Sequence, residues 1–144
     1  MYKSVLVATD GSATASEAVR VATELAAIFG ATLHIASVYN TADPSTLGWS
    51  GVTISYPEGA DPESAAKAHT NEMAANAQAK GISVRTHAVP GAIVEEIIAI
   101  AEKHHIELIV VGNRGMRGLK RVLGSVPNAV AHKAPCAVLI VNTT

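Results

Sequence analysis

Three apolar runs constrain this chain most: Val5-Leu6-Val7, Leu108-Ile109-Val110-Val111 and Val138-Leu139-Ile140-Val141. Each is too short for a helix, is rich in β-branched residues or leucine, and offers no polar residue to either face. Such runs fit strands covered on both sides, as in a parallel sheet. With two further runs they predict strands over 4–8, 32–38, 82–89, 107–111 and 137–141. The segment 82–89 alternates apolar and polar residues, so one of its faces is expected to be wetter, as suits a place near the sheet edge. Helical stripes fill the gaps. Ala15, Ala18, Val19, Ala22, Ala26 and Phe29 recur at helical spacing, with Ser12 placed to cap the start and Gly30 to stop the end. Val94, Ile97, Ile98 and Ala101 form a second stripe, and Val122, Val126, Ala129 and Val130 a third. The Ala-rich stretch 62–80, closed by Gly81, is expected to be helical without revealing its buried face. Strands alternating with helices imply right-handed crossovers. The expected fold class is therefore α/β: a doubly wound, five-stranded parallel sheet with helices on both faces.

Composition sets the scale of that fold. Its 144 residues suit one domain, 1–144. Apolar residues make up 49% of the chain but aromatics only 3%, so small aliphatic side chains must build the core. A formal net charge of −1 gives no general attraction to nucleic acid or anionic lipid, and neither is expected as a partner. The single cysteine, Cys136, excludes an internal disulfide. The N-terminus has no signal-peptide core, and no stretch approaches the length of a membrane span. A cytoplasmic location is the expectation.

In doubly wound sheets, ligands bind beyond the carboxyl ends of the strands, where the strand order reverses. The loops after the first, second and fourth strands are therefore where function should lie. The segment after the fourth reads Gly112-Asn113-Arg114-Gly115-Met116-Arg117-Gly118-Leu119-Lys120-Arg121-Val122-Leu123-Gly124-Ser125-Val126. Glycines let backbone N–H groups approach a phosphate, and the start of a helix adds free N–H groups and partial positive charge. Ser125 adds a hydroxyl. Four of the chain's eleven basic residues, Arg114, Arg117, Lys120 and Arg121, fall within eight positions here. The alternative is a flexible turn before an amphipathic helix with a solvated basic face. Neither a Walker A pattern nor Gly-x-Gly-x-x-Gly is present, which disfavours P-loop motors and ordinary dinucleotide dehydrogenases. After the first strand, Thr9-Asp10-Gly11-Ser12 offers an acidic residue for a ribose hydroxyl or a magnesium ion, or simply a helix cap. After the second strand comes an unusually long connection, 40–61, rich in Pro and Gly and carrying the only tryptophan, Trp49. It is either a surface excursion or a ligand-facing lid.

On these residues the sequence resembles the universal stress protein family. Val5-Leu6-Val7-Ala8-Thr9-Asp10-Gly11-Ser12 resembles the family's opening, and Ala134-Pro135-Cys136-Ala137-Val138-Leu139-Ile140-Val141 its final loop and strand. Gly112, Gly115 and Gly124-Ser125 match the glycine pattern of its nucleotide-binding members. Eight residues rather than the family's nine separate Gly115 from Gly124, and a loop beside Gly118 is expected to absorb the difference. The resemblance covers the chain except 41–61. It implies a Rossmann-like, adenine nucleotide alpha hydrolase-like fold and an adenine-nucleotide site. Ala8, Thr9 and Asp10 would border adenine and ribose, and the adenine would rest near Val38. Gly112, Asn113, Arg114 and Gly115, with Gly118 nearby, would approach ribose and phosphates; Gly124, Ser125 and Val126 would cradle the phosphates. The ligand implied is ATP, with or without Mg2+; cyclic AMP or AMP is the alternative. The resemblance also implies a homodimer through the last strand, Val138 to Val141, for which an exposed apolar edge supplies a physical motive.

The function expected is therefore a nucleotide-binding regulatory protein of the stress response. The alternatives are a slow ATP hydrolase and a ligand-free interaction protein. No nucleophile–base pair supports covalent catalysis, so catalytic residues are expected to be absent. The six histidines, His34, His69, His87, His104, His105 and His132, are expected in structural or solvated roles rather than as metal ligands. His34 and His87 fall in strands distant in sequence. Cys136 is expected to be a packed residue, not a reactive one.

Overall fold

The computed structural model describes residues 1–9, 13–39, 61–113 and 126–142. Five strands form one parallel sheet: β1 (Ser4–Ala8), β2 (Thr32–Tyr39), β3 (Val84–Pro90), β4 (Leu108–Gly112) and β5 (Ala137–Val141), in the order β3-β2-β1-β4-β5. Between them run α1 (Ala13–Phe29), α2 (Pro62–Gln78), α3 (Ile93–Lys103) and α4 (Val126–Lys133). The sheet is the doubly wound architecture expected from the alternation of runs and stripes. Its order reverses between β1 and β4.

Local chemistry sets the helix ends. After α1, Gly30 takes φ +65° and Ala31 N–H donates to the Ala26 carbonyl at 2.9 Å, the closing bond of a Schellman turn. Asp61 caps α2 by accepting from the Ser64 N–H at 2.7 Å, and Pro62 occupies the first turn, where a missing N–H costs nothing. Gly81, at φ +80°, ends the turn after α2. His105 fills the same role after α3 at φ 52°, with Ile106 N–H donating to the Ala101 carbonyl at 2.9 Å. The cap expected from Ser12 lies outside the described residues.

Helices cover both faces. Ala18, Ala22 and Ala26 of α1, with Ala74 and Ala77 of α2, pack on Val5, Val7, Leu33, Ile35 and Val110. On the other face Ile97, Ile100 and Ala101 of α3, with Val126 and Val130 of α4, meet Leu6, Ala8, Ala36, Ile109 and Val111. The buried face of α2, which periodicity left open, is Ala66, Thr70, Ala74 and Ala77. The alanines let each helix lie close on the sheet.

β4 is buried throughout and β1 from Val5 onward, as their uninterrupted runs require. β3 is an edge strand, as its alternating sequence suggests, but its exposed residues are Arg85, Thr86 and Pro90, so exposure falls on both faces instead of one wetter face. β5 departs from expectation. Its run is as continuous as that of β4, yet Leu139 and Ile140 are each 38% exposed, and it is not covered on both faces. The reason is geometric. Among the described residues the strand pairs only with β4, and α1 lies over β1 and β4 rather than over β5.

Candidate functional site

The carboxyl ends of β1 and β4 stand side by side at the point where the strand order reverses, because Val7 is in register with Val110. Thr9 leaves β1 and Gly112-Asn113 leave β4 at this edge. A doubly wound sheet opens a crevice here, since the two crossovers depart to opposite faces. Ala8 is paired with Ala36 of β2, so Val38 lies two residues further along that neighbouring strand. Val126, the first residue of α4, packs in the same cluster as Ala8. Five of the expected site residues, Ala8, Thr9, Val38, Gly112 and Asn113, are thus gathered at one end of the sheet, and Val126 is described at the start of α4. The other six, Asp10, Arg114, Gly115, Gly118, Gly124 and Ser125, lie outside the described residues. So do Arg117, Lys120, Arg121 and Trp49.

Hydrogen bonding sorts what the described part of the edge can do. Thr9 N–H donates to the Ala36 carbonyl at 2.8 Å, and Asn113 N–H donates to the Val141 carbonyl at 2.9 Å. Both amides serve the sheet and cannot serve a phosphate as well. The Asn113 side chain donates to Asn142 Oδ1 at 3.1 Å, tying the β4 exit to the end of β5. Ala8, Thr9, Val38 and Val126 are all buried, and none carries charge. Ala8, Val38 and Val126 are apolar and Thr9 is polar, and small uncharged residues fit a flat heteroaromatic ring better than an anion.

One element of this edge carries no signal in the glycine motif. Gly91 follows β3 at φ +140°, and its N–H donates to the Tyr39 carbonyl at 3.0 Å. The turn into α3 is thereby sewn to the end of β2, beside Val38. The dipeptide Pro90-Gly91, a turn signal, is what could have marked it. Ser37, just before Val38, is fully buried, and its hydroxyl has no hydrogen-bond partner among the described residues.

The remaining candidates are structural. Cys136 packs against the cluster beneath α3 and α4, and burial pushes its thiol pKa up, away from thiolate reactivity. Among the described residues no group of His, Cys, Asp or Glu is arranged to hold a metal ion, and no helix is long and apolar enough to cross a membrane.

Comparison with known proteins agrees with this geometry. The sequence profile of the universal stress protein family matches residues 1–142. Universal stress protein A homolog 1 of Coxiella burnetii is 35% identical over 140 residues, which cover 97% of this chain and 96% of that one. A universal stress protein of Mycobacterium tuberculosis is 36% identical, with 99% and 98% covered. Among solved structures, a universal stress protein in complex with cAMP superposes with a TM-score of 0.79 at 32% identity, covering 99% of this chain and 98% of that one. A family member from Burkholderia pseudomallei gives 0.67 at 26% identity, with 97% and 96% covered.

Proposed function

This chain belongs to the universal stress protein family, and on that premise we propose that it is an adenine-nucleotide-binding regulatory protein of the stress response rather than an enzyme. The observation that carries the reading is the meeting of Thr9, Val38 and Gly112-Asn113 at the reversal point of the sheet. There the uncharged ends of β1 and β2 stand beside the exit of a segment with four cations in eight positions. Adenine would lie against Val38 and the β1 terminus. Asp10 would meet the ribose or a Mg2+ ion, and the loop amides with Ser125 would take the phosphates.

The cation count favours ATP, because a single phosphate needs fewer positive partners. Cyclic AMP is the second reading, supported by the cAMP complex of the structure at 32% identity. A cytoplasmic setting, where both nucleotides occur, goes with either. The exposed β5 edge would pair two copies, and two-fold symmetry would set the two β5 strands antiparallel.

The test is thermal and chemical unfolding with ATP, ADP, AMP and cAMP in turn. A ligand at a hundredfold excess over its dissociation constant adds about 2.7 kcal/mol of stability. ATP is expected to give the largest shift, and Gly115→Val to abolish it while leaving the unliganded protein folded. If none of the four shifts the transition, the reading fails. If cAMP alone does so, the ligand assignment passes to the second reading.

A further inference from the structure

Away from the nucleotide edge, three histidines from three elements meet on the α3 side of the sheet. His34 of β2 is buried, 3% exposed, and its Nδ1 lies 2.9 Å from Nε2 of His87 on β3. The two ring planes are 5° apart and their centroids 5.2 Å apart. With nitrogens at hydrogen-bond distance, that spacing sets the rings edge to edge, close to one plane, rather than face over face. His104, at the end of α3, packs on both, with centroids 5.3 Å from His34 and 4.8 Å from His87.

We propose that His34, His87 and His104 form an acid-sensitive latch that fastens the end of α3 to the β2–β3 edge, closed while the rings are neutral and opened by their protonation. The hydrogen-bond inventory supplies the reason. A neutral imidazole has one donor and one acceptor, so one N–H shared between Nδ1 and Nε2 satisfies both. When both rings are protonated, N–H is set against N–H and positive charge against positive charge at 2.9 Å. A tetrahedral zinc ion with bonds of about 2.0 Å would hold the two nitrogens about 3.3 Å apart, wider than the 2.9 Å found.

The surroundings offer an added proton no compensation. The charged and titratable groups that act on the rings are Arg85 of β3, Lys103 of α3 and His105 just beyond it. Arg85 is the register partner of His34. On its other side β2 presents Leu6 of β1, in register with His34. No carboxylate among the described residues acts on the cluster. Burial first, then the neighbouring histidines and Arg85, push His34 down to about 4. Burial, His104, Arg85 and Lys103 do the same to His87, also to about 4. His104 is lowered as well, by burial, Arg85 and Lys103. Folded values below the unfolded value of 6.5 mean that the unfolded chain binds more protons. Stability is thus complete above that value and is lost as pH falls toward about 4.

Urea unfolding of the ligand-free protein between pH 7 and pH 5 tests the latch independently of any nucleotide. The unfolding constant is expected to rise more steeply than about tenfold per pH unit over the acid half of this window, since more than one proton is taken up. His87→Phe keeps a ring at the site but removes the titration, and its slope should fall by about one proton. NMR titration of the histidine rings in the folded wild-type protein provides the second reading. His34 and His87 are expected to stay neutral through pH 5. Equal slopes in the wild type and His87→Phe would overturn the proposal. So would His34 and His87 rings that titrate between pH 6 and 7 in the folded protein.

Discussion

Of the four residues described at positive φ, Gly91 and His105 differ most in how replaceable they are. At Gly91 a Cβ would sit 2.7 Å from Glu96 Cγ, in a backbone region at φ +140° that side chains rarely adopt. Gly91→Ala is therefore expected to cost about 1–3 kcal/mol in urea unfolding, from strain at a position fixed by the bond to Tyr39. If the variant matches the wild type, the β3–α3 turn is not held in this conformation. His105, by contrast, already carries a side chain at φ 52°, which its place at the α3 terminus tolerates. The sequence signals follow the same division. Pro90-Gly91 is readable as a turn, whereas nothing near His105 announces a left-handed residue where glycine is the usual choice.

At the scale of elements, β5 poses the sharpest question. Its run reads as a buried strand, yet in a single chain it has one neighbour and exposes Leu139 and Ile140. Open apolar edges of this kind pair with other chains unless something blunts them. The homodimer proposed above would cover the edge and reconcile sequence with exposure. Sedimentation should then show a dimer for the wild type and a monomer for Ile140→Glu, with the monomer still folded because β5 keeps its ladder to β4. A wild-type monomer at micromolar concentration would remove β5 as an interface. The opposite edge needs no such cover. β3 carries Arg85 and Thr86 exposed in its middle, and those polar residues suit it to water.

Across the whole molecule, burial and pairing fall off from the centre of the sheet outward. β1 and β4 have strands on both sides and helices on both faces, while β3 and β5 have one strand neighbour each. Amides of Leu6, Val7, Ile109 and Val110 are expected to exchange last with deuterium, through global unfolding only, and those of β3 and β5 first. Uniform protection across the five strands would contradict that ordering. The same gradient places the two proposed devices at opposite ends of the fold. The nucleotide edge lies at the carboxyl ends of the central strands. The histidine cluster lies at the far end of α3 from the turn at Gly91, in the less protected half of the sheet.

Hydrophobic periodicity alone determined the α/β class, the five strands and the helix positions, because each element must bury a face whose spacing is written in the chain. It also pointed to the loops after the first, second and fourth strands, while the reversal between β1 and β4 came from the sheet order itself. Only the tertiary structure decided that β5 is exposed, because coverage depends on how far a helix reaches over its neighbours. It also decided that the Thr9 and Asn113 amides belong to the sheet and not to a ligand. Likewise it brought His34 and His87 together. They stand 53 positions apart in the chain, and no spacing rule joins residues whose contact is made by the pairing of two strands.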